Sequence, residues 1–181
     1  AVFWTVYYLS WFLETYVGID PVSVAGTMVV VLWMRPVGGF IGGFLADKIG
    51  KTTVQIGALT GAAACLVAIS VIPVSGNTGL FQPLIIVLGI FLYAIRGTYW
   101  SLLGDLNLNA LILGTAIGAV SFIGYMPDII LPEFNTFLWK TFGDLGGFNA
   151  YFISSAIMGL VGVLLVIVFG IMLKKEKQAK A

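Results

Sequence analysis

Histidine is absent from this chain, and cysteine occurs once, at position 65. Without histidine, the commonest metal ligand and the usual neutral-pH proton carrier are missing. One cysteine in an apolar run forms no internal disulfide and leaves the redox compartment unreadable. Charge is scarce too. Only 9% of the 181 residues are charged, against roughly 25% in soluble domains, so too little polar material exists to coat a water-facing surface. A net charge of +1 favours neither nucleic acid nor an acidic protein as partner. No nucleophile stands beside a base, and no metal constellation, phosphate loop or ATP-binding domain is present. That argues against an enzyme, a cofactor, a bound metal, and primary active transport by this chain alone. The opening "AVFWTVYYLSWFLETY" lacks a basic leader and a small-residue cleavage site, so it reads as a helix with its beginning cut away.

What abounds is apolar. Hydrophobic residues make up 60% of the chain and the mean hydropathy is +1.06, so a lipid bilayer is the expected solvent. Six stretches approach the ~20 apolar residues that a crossing needs, near 1–17, 22–45, 53–73, 81–103, 108–131 and 150–173. The second would be about 36 Å long at 1.5 Å per residue. The segment 132–149 mixes aromatics with Pro, Asn and Gly, and reads as an interfacial loop. No period-two alternation interrupts the apolar runs, which excludes a strand barrel. The expected fold class is therefore an all-α membrane protein, a six-helix bundle over 1–173 with a basic tail at 174–181.

Lysine and arginine favour cytoplasmic loops. Lys48, Lys51, Lys174, Lys175, Lys177 and Lys180 share one side with the 46–52 and 104–107 turns, and Arg96 lies near it. The other side holds Lys140 among Asp20, Asp128, Glu133 and Asp144. A multi-pass protein of a plasma or inner membrane follows, with both ends of this segment cytoplasmic. The third and sixth spans carry no charge and are expected to face lipid; those with Glu14, Arg35 and Arg96 are expected to face inward.

Between the second and third spans lies "GFLADKIGK", with Gly43, Asp47, Lys48, Gly50 and Lys51. Gly43 allows close helix approach, Gly50 a tight reversal with positive φ, and Asp47 can pair with the lysines or with a facing helix start. The stretch resembles the G-x-L-a-D-r-x-G-r-k loop motif of the major facilitator superfamily, except that Thr52 replaces its last basic residue. The resemblance implies half of a twelve-helix transporter, with the loop as a cytoplasmic gate and a six-helix N-terminal half as partner. A basic tail soon after the sixth span favours the C-terminal half over an N-terminal half or a self-pairing half-size protein.

Arg35 lies twelve positions before Asp47, near the bilayer midplane. An unpaired arginine there is costly unless it faces a cavity or a partner, and its guanidinium suits carboxylate, phosphate or nitrate oxygens. It is either a substrate residue or a structural partner of Glu14 or of an acid in the other half. Gly38, Gly39, Gly42 and Gly43 around it are spaced for helix packing. In the resembled fold, Tyr7, Tyr8 and Trp11 would shape the central pocket, and Glu14 would couple protons if burial raises its pKa. Otherwise they form an interfacial belt. Arg96 either lines the inner vestibule or follows the positive-inside bias. Ser121 and Tyr125, among Gly114, Gly118, Gly124 and Pro127, mark a binding-site hinge or ordinary packing. The expected function is secondary transport of a small anionic solute by alternating access, as proton symport or exchange. The alternatives are a carrier of neutral solutes and a non-transporting scaffold or sensor.

Overall fold

Glycine and proline set the helix ends. The structure, a computed structural model, describes residues 2–75, 77–104 and 110–179. Its first helical stretch runs through a 3-10 turn (Val2–Thr5), α1 (Val6–Phe12) and a wider π turn (Leu13–Val17). It ends where Gly18 takes a left-handed φ of +75° and its amide closes on the Leu13 carbonyl. Asp20 caps α2 (Pro21–Ile49) by accepting the Ser23 N–H at 2.9 Å, and Pro21 fills the first position, where no amide is needed. At Gly50, φ is +94° and ψ 140°, a region almost closed to other residues, and α3 (Lys51–Val71) starts at once. The reversal expected there is present. α4 (Thr78–Gly104) and α5 (Ala110–Ala179) follow. Among the described residues there is no strand.

Among the described residues, four helices are long and apolar enough to cross a membrane: Pro21–Ile49, Lys51–Val71, Thr78–Leu102 and, within α5, Gly114–Lys175. The chain is an all-α integral membrane protein. α5 is not straight. At Gly143 φ is +71° and ψ −177°, and the helix folds back so closely that a β-carbon on Gly147 would sit 3.0 Å from Trp139 Cα. The expected loop at 132–149 is therefore helix on both sides of Gly143. Its Pro and Asn content suggested irregular backbone, but Leu131, Asn135 and Leu138 are buried at helical spacing, and membrane helices tolerate proline. The 104–107 turn lies, from residue 105 onward, outside the described residues, as does Lys180.

Packing differs along the bundle. At one end Phe12, Phe81, Phe148, Tyr151 and Phe152 are fully buried against one another. Farther along, α2 and α4 meet through glycine. A β-carbon on Gly38 would stand 2.7 Å from the Ile90 carbonyl, and one on Gly42 3.0 Å from Ala94 Cα. Gly97 would reach Gly39 Cα at 3.1 Å, whereas nothing lies within 4 Å of Gly43. The close approach expected of Gly43 thus belongs to its neighbours, because one residue turns a helix by about 100°. Gln82 donates to Thr27 Oγ1 at 2.8 Å between α4 and α2, and Thr98 donates to Gln55 between α4 and α3. Such polar pairs hold apolar helices together where lipid offers no hydrophobic drive.

α3 corrects one expectation. Half of its most apolar window is buried, more than for α2 or α5, because it packs against both α4 and α5. Lack of charge suits a protein interior as well as lipid. The sequence alone does not separate the two environments.

Several lysines lie near one end of the bundle. Lys51 Nζ donates to the Ser101 carbonyl at 3.0 Å, joining the α2–α3 turn to the end of α4. Gly170 packs on Thr52, with Lys174 and Lys175 one turn beyond. Tyr16 and Asp144 approach each other at the opposite end, where Asp20 caps α2.

Candidate functional site

Three helices place one face each around a cavity of about 470 Å³. α4 supplies Leu92, Ile95, Arg96, Tyr99 and Trp100, spaced three or four apart along one stripe. α5 supplies Val120, Ser121, Gly124, Tyr125 and Asp128 by the same rule. The first helical stretch adds Val2, Phe3, Trp4 and Tyr7, and Leu59, Met158 and Gly159 close the back. The volume suits a small molecule, and the walls combine aromatic rings with a few convergent polar groups.

The cavity's depth follows from a chain of ring contacts. Arg35 lies fourteen residues from each end of α2, at its midpoint. Its guanidinium carbon stands 6.0 Å from the centre of the Tyr93 ring. Tyr93 meets Phe3 edge to face at 5.6 Å, and Arg96 lies over Phe3 at 4.8 Å. Two cations therefore bracket one aromatic pair at the mid-height of α2, and both act electrostatically on Tyr93. Among the described residues, no acid pairs with either arginine. A ring at about 6 Å is at the outer edge of useful cation–π attraction, so Tyr93 alone does little to offset the Arg35 charge.

The expected site residues divide. Tyr7, Ser121 and Tyr125 line the cavity. Arg35 is exposed on α2 and reaches the cavity through Tyr93 rather than by lining it. Trp11 stacks on Trp139 at 5.6 Å and meets Phe148 at 4.8 Å, and Tyr8 packs on Tyr151; both belong to the aromatic end. Glu14 is exposed on the π turn and outside the cavity lining. In the loop motif, Asp47 is exposed and Lys48 lies over the Phe44 ring at 4.4 Å.

Asp128 sits elsewhere than its place among the outer-side acids suggested. It lies fifteen residues before the Gly143 reversal, about 22 Å along the helix, on the cavity wall. Arg96, Trp4, Tyr99 and Trp100 join it there. Their signal was available in the sequence. Residues 92, 95, 96, 99 and 100 form one helix stripe, and so do 121, 124, 125 and 128.

Fold and composition define the class: an all-helical integral membrane protein with a polar–aromatic cavity between its first helical stretch, α4 and α5. Among known proteins, the chain is similar to Inner membrane protein YqcE of Escherichia coli (strain K12), at 33% identity over 98 residues. That match covers 53% of this chain and 23% of the relative, so the chain spans less than a quarter of that protein. No family model matches the chain, and no solved structure does.

Proposed function

We propose that this chain is the C-terminal six-helix half of a major-facilitator-type secondary transporter that carries a small anion by alternating access. The first helical stretch, α2, α3, α4 and the two arms of α5 about Gly143 are the six crossings of that reading. An N-terminal half would pack against the exposed face of α2 and rock about a midplane site. The lysine-rich end, with the Gly50 turn latched by Lys51 to Ser101, is then cytoplasmic.

One observation carries the anionic cargo. Two guanidinium groups, without acid partners among the described residues, flank Tyr93 and Phe3 at the mid-height of α2. Charge at that depth is expensive, and an incoming anion offsets it through forked hydrogen bonds. The test is uptake of small anions by the full-length protein in proteoliposomes, with Arg35→Ala as control. Lost uptake despite normal insertion supports the reading. Uptake confined to neutral solutes and undiminished by Arg35→Ala overturns it.

A further inference from the structure

We infer that the cargo is an aryl carboxylate, a flat ring bearing one negative charge; this deepens, and rests on, the anion-carrier reading above. The chain has two groups of aromatic side chains, and they differ in what they face. At the aromatic end, Phe12, Phe81, Phe148 and Phe152 are fully buried in mutual contact. Around the cavity, Phe3, Trp4, Tyr7, Tyr99, Trp100 and Tyr125 bring six rings to the lining. Of these, Tyr7, Trp100 and Tyr125 keep much of their surface exposed. Core packing within this chain uses up the first group but not the second.

The lining rings come in pairs near one cation. Trp4 and Tyr7 stand 4.6 Å apart on the first helical stretch, and Tyr99 and Trp100 4.7 Å apart on α4. Arg96, one turn before them on α4, lies over Phe3 at 4.8 Å. Both Arg96 and Tyr125 act electrostatically on Tyr99. Phe3 offers no lone pair, so its contact does not occupy the guanidinium fork that grips a carboxylate. A flat ring carried by that carboxylate then meets aromatic walls, each good pair strengthening binding by roughly 2- to 12-fold. Charge sets the valence. Arg96 and Asp128 are the charged side chains of the lining, and Arg35 stands beyond Tyr93. Together they leave one net positive charge, which matches a monoanion better than a dianion. Phosphate and sugar acids bind water on every side, and shedding it is costly unless new partners replace it. Among the described residues, the lining brings no Asn, Gln, Lys or second Arg to do so.

The experiment measures binding of labelled benzoate to the full-length protein in detergent, with lactate, phosphate, cyclohexanecarboxylate and benzamide as competitors. Benzoate should bind roughly tenfold or more tightly than lactate, phosphate or the uncharged benzamide. Cyclohexanecarboxylate, with the same charge but no π face, should compete about 2- to 12-fold less well than benzoate. Tyr99→Leu and Tyr125→Leu should each cut the preference for benzoate over lactate by roughly that factor. Lactate, phosphate or cyclohexanecarboxylate competing as well as benzoate overturns the inference and leaves the anion reading standing. So does a pair of variants that weaken benzoate and lactate alike, or that lower only the melting midpoint, because the rings then pack the bundle. If benzamide matches benzoate and Arg96→Ala weakens neither, no anion is recognised, and the anion-carrier reading falls. Should the wild-type protein bind none of the acids, that reading falls too, and this inference with it.

Discussion

Arg35 and Arg96 share a residue type, a pair of bracketed rings and a lack of acid partners among the described residues, yet they occupy different surroundings. Arg96 lines a cavity together with Tyr99 and Asp128. Arg35 stands on the exposed face of α2, with glycines behind it and a distant ring below. The comparison teaches that depth alone does not define a binding residue. What surrounds the charge decides whether it can hold a ligand by itself or only together with another surface.

The largest expected effect breaks this pair apart. Removing one charged hydrogen bond is worth about 1.5–3 kcal/mol, or roughly 10- to 150-fold in transport efficiency. Arg96→Ala should reach that range in uptake kcat/KM by the full-length protein. Arg35→Ala should do so only if the second half brings the anion across to it. The double variant should lose less than the product of the single losses if both cations serve one anion, because partners of one ligand are not additive. Full multiplicativity would mean two independent roles.

How much of this was legible beforehand depends on the kind of signal. Apolar runs announced α2, α3 and α4, because a bilayer imposes length and hydropathy directly. The Gly50 reversal was legible because a lysine-flanked glycine between two such runs leaves few alternatives. The α5 hairpin was not. Pro132, Asn135 and Gly143 look alike as breakers in composition, yet only Gly143 takes a non-helical conformation. Whether α3 faces lipid or protein was also hidden, since both solvents select the same side chains. The cavity was half legible. Ser121 and Tyr125 stood out by their polarity, but their meeting with Arg96 depends on which way α4 and α5 are rotated. The loop motif was recognisable by its spacing, and still Gly42, not Gly43, makes the tight contact.

A second prediction concerns the seam that sets Arg35 over Tyr93. Gly38→Val and Gly42→Val push a side chain into α4 backbone, and overpacking of this kind costs about 1–3 kcal/mol. Thermal unfolding in detergent should show the loss, while Gly43→Ala, with open space around it, should leave the midpoint nearly unchanged. Equal effects at positions 42 and 43 would place the α2–α4 contact elsewhere.

A smaller effect tests the ring bridge. Tyr93→Leu removes the edge-to-face contact with Phe3, a pair worth about 0.5–1.5 kcal/mol beyond its buried area. A double-mutant cycle with Phe3→Leu should return a coupling of that size in unfolding free energy. Tyr93→Phe should keep it, because the ring and not the hydroxyl makes the contact. If Tyr93→Phe loses as much as Tyr93→Leu, the hydroxyl is the working group, and the two arginines communicate through it.

The smallest effect concerns the acid that caps α2. Ser23, through its side chain first and its backbone amide second, holds the Asp20 carboxyl below the usual carboxylate value. A depressed folded pKa adds stability that is present above the unfolded value, about 3.9, and is lost as pH falls through the folded one. The α2 cap should therefore stay constant across the pH 5–8 range of a coupling assay. Asp20→Ala should speed amide exchange in the first turn of α2 and leave the pH profile of uptake unmoved. A profile that shifts with Asp20→Ala would mean that the pH dependence arises at the helix cap rather than in the cavity.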